Sequence, residues 1–159
     1  MGERFLRSVR LLAECLQGFE RFSNVAVRQS GLTPAQFDIV ATLGNTPGMT
    51  VKQLGERTLI TKGTLTGVID RLEQKGLVAR QRCAEDKRSF LVILTAQGEQ
   101  VFADTFPLVV AHGKQVFAAC SEAEFDAMDL TFRKFKQLIA DAEARFGASP
   151  ATPQPKEED

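Results

Sequence analysis

For most of its length the chain places its apolar residues at helical spacing. It leaves that rhythm only once, between residues 77 and 94. Phe5, Val9, Leu12, Leu16 and Phe19 recur at alternating steps of four and three, which predicts a long amphipathic helix over residues 4–29, ended by Gly31. Thr33-Pro34-Ala35-Gln36 reads as a capping box with proline at the first helical position, opening a second helix through Leu43. A turn over residues 44–48 leads to Thr50-Val51-Lys52-Gln53, another capping box that starts a short helix to about Thr58. Thr61 is then expected to cap a helix running to Lys75, with Leu65, Val68, Ile69 and Leu72 on one face. Gly76 would end it in the left-handed region, with Leu77 packing back.

The break in rhythm follows. Leu77–Arg82 and Ser89–Leu94 read as strands around the loop 83–88, because residues 91–94 are too short and too β-branched a run for a helix. Thr95 caps a predicted long helix from Ala96 to Ala119, in which Pro107 predicts a kink or break near Phe106. Ser121-Glu122-Ala123-Glu124 is a further capping box, and Phe125, Met128, Phe132, Phe135, Ile139, Ala142 and Phe146 continue a three-four stripe. Residues 147–159 are rich in Pro, Ala and acid and are expected to be disordered.

These elements predict a mostly α fold with a small β wing. A winged helix-turn-helix domain (32–95) is flanked by long N- and C-terminal helices (1–31 and 96–146), with a tail at 147–159. The narrow terminal stripes have two readings: helices packed on their own neighbours, or a two-fold dimer built from both chain ends.

Composition sharpens this only locally. The 159 residues are 43% hydrophobic and 25% charged with zero formal net charge, so no global field advertises a polyanion. From Lys52 to Phe90, however, nine basic residues face five acidic ones. On the 61–75 helix the face away from the core carries Gly63, Thr66, Gly67, Asp70, Arg71 and Gln74. A helix-interior glycine costs about 1 kcal/mol against alanine. The use of the pair would be a helix backbone that can approach a groove closely. Thr61, Lys62, Thr64 and Thr66 add hydroxyls and a charge at the helix N-terminus, where the amides also favour phosphate. Thr50, opening the preceding helix, is assigned to the same surface. In the wing, Arg82, Lys87 and Arg88 surround Glu85 and Asp86. Such a tip is either a solvated loop or a reach into a neighbouring minor groove, with Asp86 orienting the guanidinium of Arg88 or Arg71.

Other chemistries are poorly supplied. His112 is the one histidine, and Trp and Tyr are absent. Cys15, Cys83 and Cys120 have no metal-ligand spacing, and an odd count argues against a disulfide framework, which suits a reducing, cytoplasmic setting. No paired nucleophile and base is found, so neither an enzyme nor a cofactor or metal site is expected. No signal peptide or membrane span is expected either.

Over residues 5–146 the chain resembles the MarR family of winged-helix regulators. The resemblance rests on Leu32-Thr33-x-x-Gln36-Phe37, on Leu54, and on Thr64-x-x-x-Val68-Ile69-Asp70-Arg71-Leu72-Glu73-x-x-Gly76-Leu77-Val78. It continues in Asp86-Lys87-Arg88 and in Leu94-Thr95-x-x-Gly98. It implies a homodimer on palindromic promoter DNA, commonly a repressor released by a small aromatic or phenolic ligand. It also implies that the 61–75 helix enters the major groove and Arg88 the minor groove. Phe22, Phe37, Val40 and His112 are candidates to line a ligand pocket, although twelve phenylalanines also build a core and a lone helical histidine is commonly structural.

Two alternatives remain. One branch of the family senses peroxides through a first-helix cysteine, and Cys15 occupies that helix. That branch uses tyrosine hydroxyls which this chain lacks, and Glu14 discourages a thiolate. Cys83, beside Arg82, has the more electropositive setting. The other alternative is a winged-helix protein–protein module that does not bind DNA.

Overall fold

The computed structural model describes residues 3–58, 60–82 and 90–146. Two compact units are formed, one ending at Phe117 and the other beginning at Ala118. In the first, α1 (Arg4–Gln29) ends at Gly31, whose φ of 73° takes the left-handed conformation. In α2 (Pro34–Leu43) the Thr33 hydroxyl accepts from the Gln36 N–H at 3.3 Å while the Thr33 N–H donates to Gln36 Oε1 at 3.1 Å. The same reciprocal box, Thr50 with Gln53, opens α3 (Val51–Arg57). Then follow α4 (Lys62–Gln74), β2 (Val78–Arg82), β3 (Phe90–Leu94), α5 (Ala96–Lys114) and a 3₁₀ turn (Gln115–Phe117).

A strand that the sequence pattern did not predict, β1 (Met49–Thr50), precedes α3. It pairs antiparallel with β3, Met49 opposite Val92, giving the order β1-β3-β2. Two residues are too few to alternate visibly, and Thr50 also serves as the α3 cap. Only the burial of Met49 against Val92 betrays the pairing. β2 and β3 run antiparallel from Val78 opposite Leu94 to Arg82 opposite Phe90.

The core of this unit joins Ile39, Val40 and Leu43 of α2, Leu54 of α3, Leu65, Val68, Ile69 and Leu72 of α4, and Leu77, Val78 and Val92 of the sheet. Ile39, Val40, Leu54, Ile69, Leu72 and Val92 are wholly enclosed. At about 1.5–3 kcal/mol for each buried aliphatic side chain, this cluster is the main force holding α4 with its other face outward.

The joint from α4 to α5 explains a motif. The Leu77 N–H donates to the Leu72 carbonyl (3.0 Å) and the Gly76 N–H to that of Glu73 (2.9 Å), with Gly76 at φ 72°. Thr95 then locks α5 onto that turn. Its hydroxyl donates to the Gly76 carbonyl at 2.6 Å and accepts from the Gly98 N–H at 3.1 Å, and its own N–H donates to the Leu77 carbonyl at 3.1 Å. A Cβ on Gly98 would stand 2.0 Å from the Leu77 carbonyl oxygen. Thr95-x-x-Gly98 is therefore a docking device as well as a helix start.

One expectation needs correction: α5 ends at Lys114, short of Ala119, and of the two outcomes expected at Pro107 a break is excluded, because the helix continues through it. Ala103, whose carbonyl loses its helical partner at Pro107, is exposed, so water can satisfy it. Beyond Lys114 the chain tightens into the 3₁₀ turn.

In the second unit, α6 (Glu122–Phe146) starts at the predicted box. The Ser121 N–H donates to Glu124 Oε2 at 2.8 Å, and the Ser121 hydroxyl accepts from the Glu124 N–H at 3.4 Å. The Ser121 backbone bond, then its hydroxyl, hold the Glu124 carboxyl below its usual value. Within this unit α6 buries no residue, and Leu130, Phe132, Leu138 and Ile139 are exposed. Residues 147–159 lie outside the described residues.

Candidate nucleic-acid interface

α4 is divided cleanly. Its inner face is buried, while Lys62, Gly63, Thr64, Thr66 and Arg71 are exposed and Gly67 is half-buried on the other side. Among the described residues a Cβ at Gly63 or Gly67 would meet nothing within 4 Å. Among the described residues neither glycine is required by a turn or by packing, in contrast to Gly98, and none offsets their propensity cost.

The start of α4 differs from expectation. Thr61 takes the extended N-cap conformation, but its hydroxyl accepts no helix amide and pairs instead with the Thr64 hydroxyl at 3.1 Å. The first turn thus lacks a side-chain cap from Thr61, and the two threonines and Lys62 are exposed there. Such an end favours an anion. A cleft of about 610 Å³ opens between α3 and α4, floored by Ile60 and Leu65, with Lys52 and Lys62 on its rim. Thr50 is half-buried and committed to its capping box.

The model of the MarR family matches residues 30–89, which contain all of these elements. Over that stretch the chain matches the MarR family of winged-helix, DNA-binding transcriptional regulators, a non-enzymatic family. It is 27% identical over 126 residues to the regulator MhqR of Bacillus subtilis, covering 79% of this chain and 87% of that one. A variant of Escherichia coli MarR solved with operator DNA superposes with a TM-score of 0.75 at 25% identity, over 84% of this chain and 96% of that one. Bordetella bronchiseptica BpsR, whose DNA binding is regulated by 6-hydroxynicotinic acid, superposes with a TM-score of 0.71 at 27% identity, over 80% and 91%.

The remaining candidates are distributed unevenly. Arg82, at the end of β2, is exposed and lies 5.7 Å over the Phe90 ring, its partner in register. Cys83, Glu85, Asp86, Lys87 and Arg88 lie outside the described residues, so the roles assigned to Asp86, Lys87 and Arg88 stand on the sequence alone. Phe22 and His112 do meet: their rings stack at 4.1 Å, and His112 Nε2 lies 3.0 Å from the Phe22 carbonyl oxygen, to which it must be the donor. His112 also borders a cavity of about 250 Å³ with Val25, Gln29 and Leu108. Val40 is wholly enclosed in the winged core and Phe37 packs against it, which gives both a structural place. Cys15 is exposed on α1, and Cys120 is half-buried.

Two residues were missed by sequence reading. Arg80 on β2 reaches back to α4, its guanidinium bridging Asp70 (2.5 Å) and Glu73. The hydrogen bond to Asp70, with the two carboxylate charges, raises the Arg80 pKa against desolvation. The available signal was two acids one helical turn apart, followed by a basic residue on the next strand. Lys75 donates to the Gly31 carbonyl (3.1 Å) and to Gln36 Oε1 (3.2 Å), tying the end of α4 to the α1–α2 turn. That contact spans 44 residues and leaves no local pattern.

Proposed function

We propose that the protein is a homodimeric, sequence-specific repressor that holds a pseudo-palindromic operator and is released by a small aromatic or phenolic ligand. The observation that carries the reading is the open glycine pair on the outward face of α4. A helix that forgoes stability at two positions, with no packing return among the described residues, is suited to a backbone approach to another molecule. In this reading Thr61, Lys62, Gly63, Thr64, Thr66, Gly67 and Arg71 meet the major groove, with Thr50 at the start of α3 beside them. Arg82, Lys87 and Arg88 meet the neighbouring minor groove, with Asp86 orienting a guanidinium. The operator complex of the E. coli MarR variant supports a DNA duplex as the partner.

Dimerisation through residues 1–31 and 96–146 is supported by apolar surface that each terminal helix leaves open. Phe5, Leu6, Val9 and Leu16 are exposed on α1, and Leu130, Phe132 and Leu138 on α6. Patches of that kind mark association surfaces. The aromatic ligand draws support from BpsR, which responds to a hydroxylated aromatic acid. No helix among the described residues is long and apolar enough to cross a membrane, and a promoter-binding role would be exercised in the cytoplasm.

Enrichment of random-sequence duplex on the purified protein, with sedimentation of the free protein, tests the reading. The expected result is a dimer and a pseudo-palindrome with half-sites about one turn, roughly 10 base pairs, apart. Arg88→Ala should weaken that complex without lowering thermal stability. A monomer, or a pool in which no sequence rises, refutes the proposal. A thermal-shift screen against aromatic acids tests the ligand.

A further inference from the structure

The contact between Arg80 and α4 is placed where a DNA-reading surface would need it. β2 leads into the wing, and only Lys75, Gly76 and Leu77 separate it from the last helical residue of α4. The backbone bonds of that joint fix where α4 stops, but three residues alone leave the swing of the hairpin about the joint to side chains. Asp70 and Glu73 lie one turn apart on the same side of α4, and a single guanidinium takes both, so the strand is held at two points along the helix. The Arg80 side chain is largely sheltered, 29% exposed, and its register partner Val92 is wholly enclosed. Its two nitrogens are committed to carboxylates inside the chain, unlike the exposed Lys62 and Arg71 on the outward face.

We propose that Arg80 is a positioning residue for operator recognition, setting the angle between α4 and the β2–β3 hairpin so that both fit adjacent grooves of one duplex. This rests on the reading of α4 and the wing as DNA-contacting elements. The role differs in its consequences from that of a phosphate ligand. A phosphate contact strengthens binding to any sequence and adds to the salt dependence. A positioning contact matters where both elements must engage at once, in the specific complex, and leaves loose electrostatic association nearly unchanged.

The test uses the full-length protein and two probes: a duplex enriched from random DNA by the wild type, and a scrambled duplex of equal length. Arg80→Ala should weaken binding to the enriched duplex by about tenfold or more, the scale of one mismatched base pair. Affinity for the scrambled duplex should stay within about twofold, and the salt slope should be unchanged. Asp70→Asn should act in the same direction, and the Asp70→Asn/Arg80→Ala pair should be no worse than Arg80→Ala alone, because both remove one tie. Arg80→Lys should recover part of the discrimination. Should Arg80→Ala fail to fold, Asp70→Asn at the exposed end of the bridge carries the same prediction by itself. Equal losses on both duplexes with a slope reduced by about 0.9 would make Arg80 a phosphate contact and overturn the proposal. Undiminished discrimination in the variants overturns it too, while the wild-type pool still supports the underlying function. A wild-type pool with no enriched sequence removes both.

Discussion

Replacing Gly67 by Ala separates what α4 needs for folding from what it needs for binding. The site is half-buried, helical, and open: a new methyl would meet no described atom within 4 Å. The folded chain therefore gains the propensity difference between Gly and Ala, about 1 kcal/mol, with no steric charge against it. For a chain of this length that corresponds to a rise in Tm of about 2–4 °C. In the complex the same methyl would occupy the space through which the helix backbone meets the groove. An overpacked contact costs about 1–3 kcal/mol, or a loss of affinity of roughly 5- to 150-fold. The signature is thus a variant that melts higher and binds worse. Calorimetry gives the first quantity and titration of the enriched duplex the second. Gly63→Ala should follow with a smaller gain in stability, since a first-turn glycine costs less. A stabilised Gly67→Ala protein with wild-type affinity would refute the idea that the glycines serve close approach. A lower Tm would refute the description of the site as open.

Gly98→Ala should do the reverse of Gly67→Ala, because its Cβ would collide with the Leu77 carbonyl oxygen; a loss of at least about 1–3 kcal/mol is expected in urea unfolding. Thr95→Ala removes an N-cap hydroxyl and leaves the Gly76 carbonyl without its 2.6 Å donor. It should cost about 1–2 kcal/mol, read from the same unfolding curves. The Glu124 carboxyl should titrate below the ordinary 4.5 when followed by NMR. Since its folded pKa is depressed, the contribution to α6 is complete above the unfolded pKa and fades as pH falls through the folded one. The Ser121 amide, which donates to that carboxylate, should therefore lose exchange protection only on the acid side.

What could be read in advance was whatever physics acts over three or four residues. Both threonine boxes, the Ser121 box, the left-handed Gly76 and the apolar face of α4 depend on neighbours in the chain, and each stands where its pattern put it. Errors and omissions fall where the deciding partner is distant or is solvent. Pro107 predicted a kink or a break because it clashes with the preceding turn, but the carbonyl it frees belongs to an exposed alanine, and the helix is not broken. β1 needed Val92, 43 positions from Met49, before two residues could count as a strand. Lys75 needed Gly31 and Gln36. Arg80 is the informative case, because in sequence it was one more positive charge in a basic stretch. Charge counting treats Arg80, Arg82 and Arg71 alike. The structure separates them: Arg80 is spent on two carboxylates of α4, Arg82 rides on Phe90 at the strand end, and Arg71 faces outward. A local excess of positive charge therefore overstates what is available to phosphate. The same accounting makes the contribution of Lys62 and of the uncapped first turn of α4 larger than residue counts suggest, since no described side chain satisfies that turn.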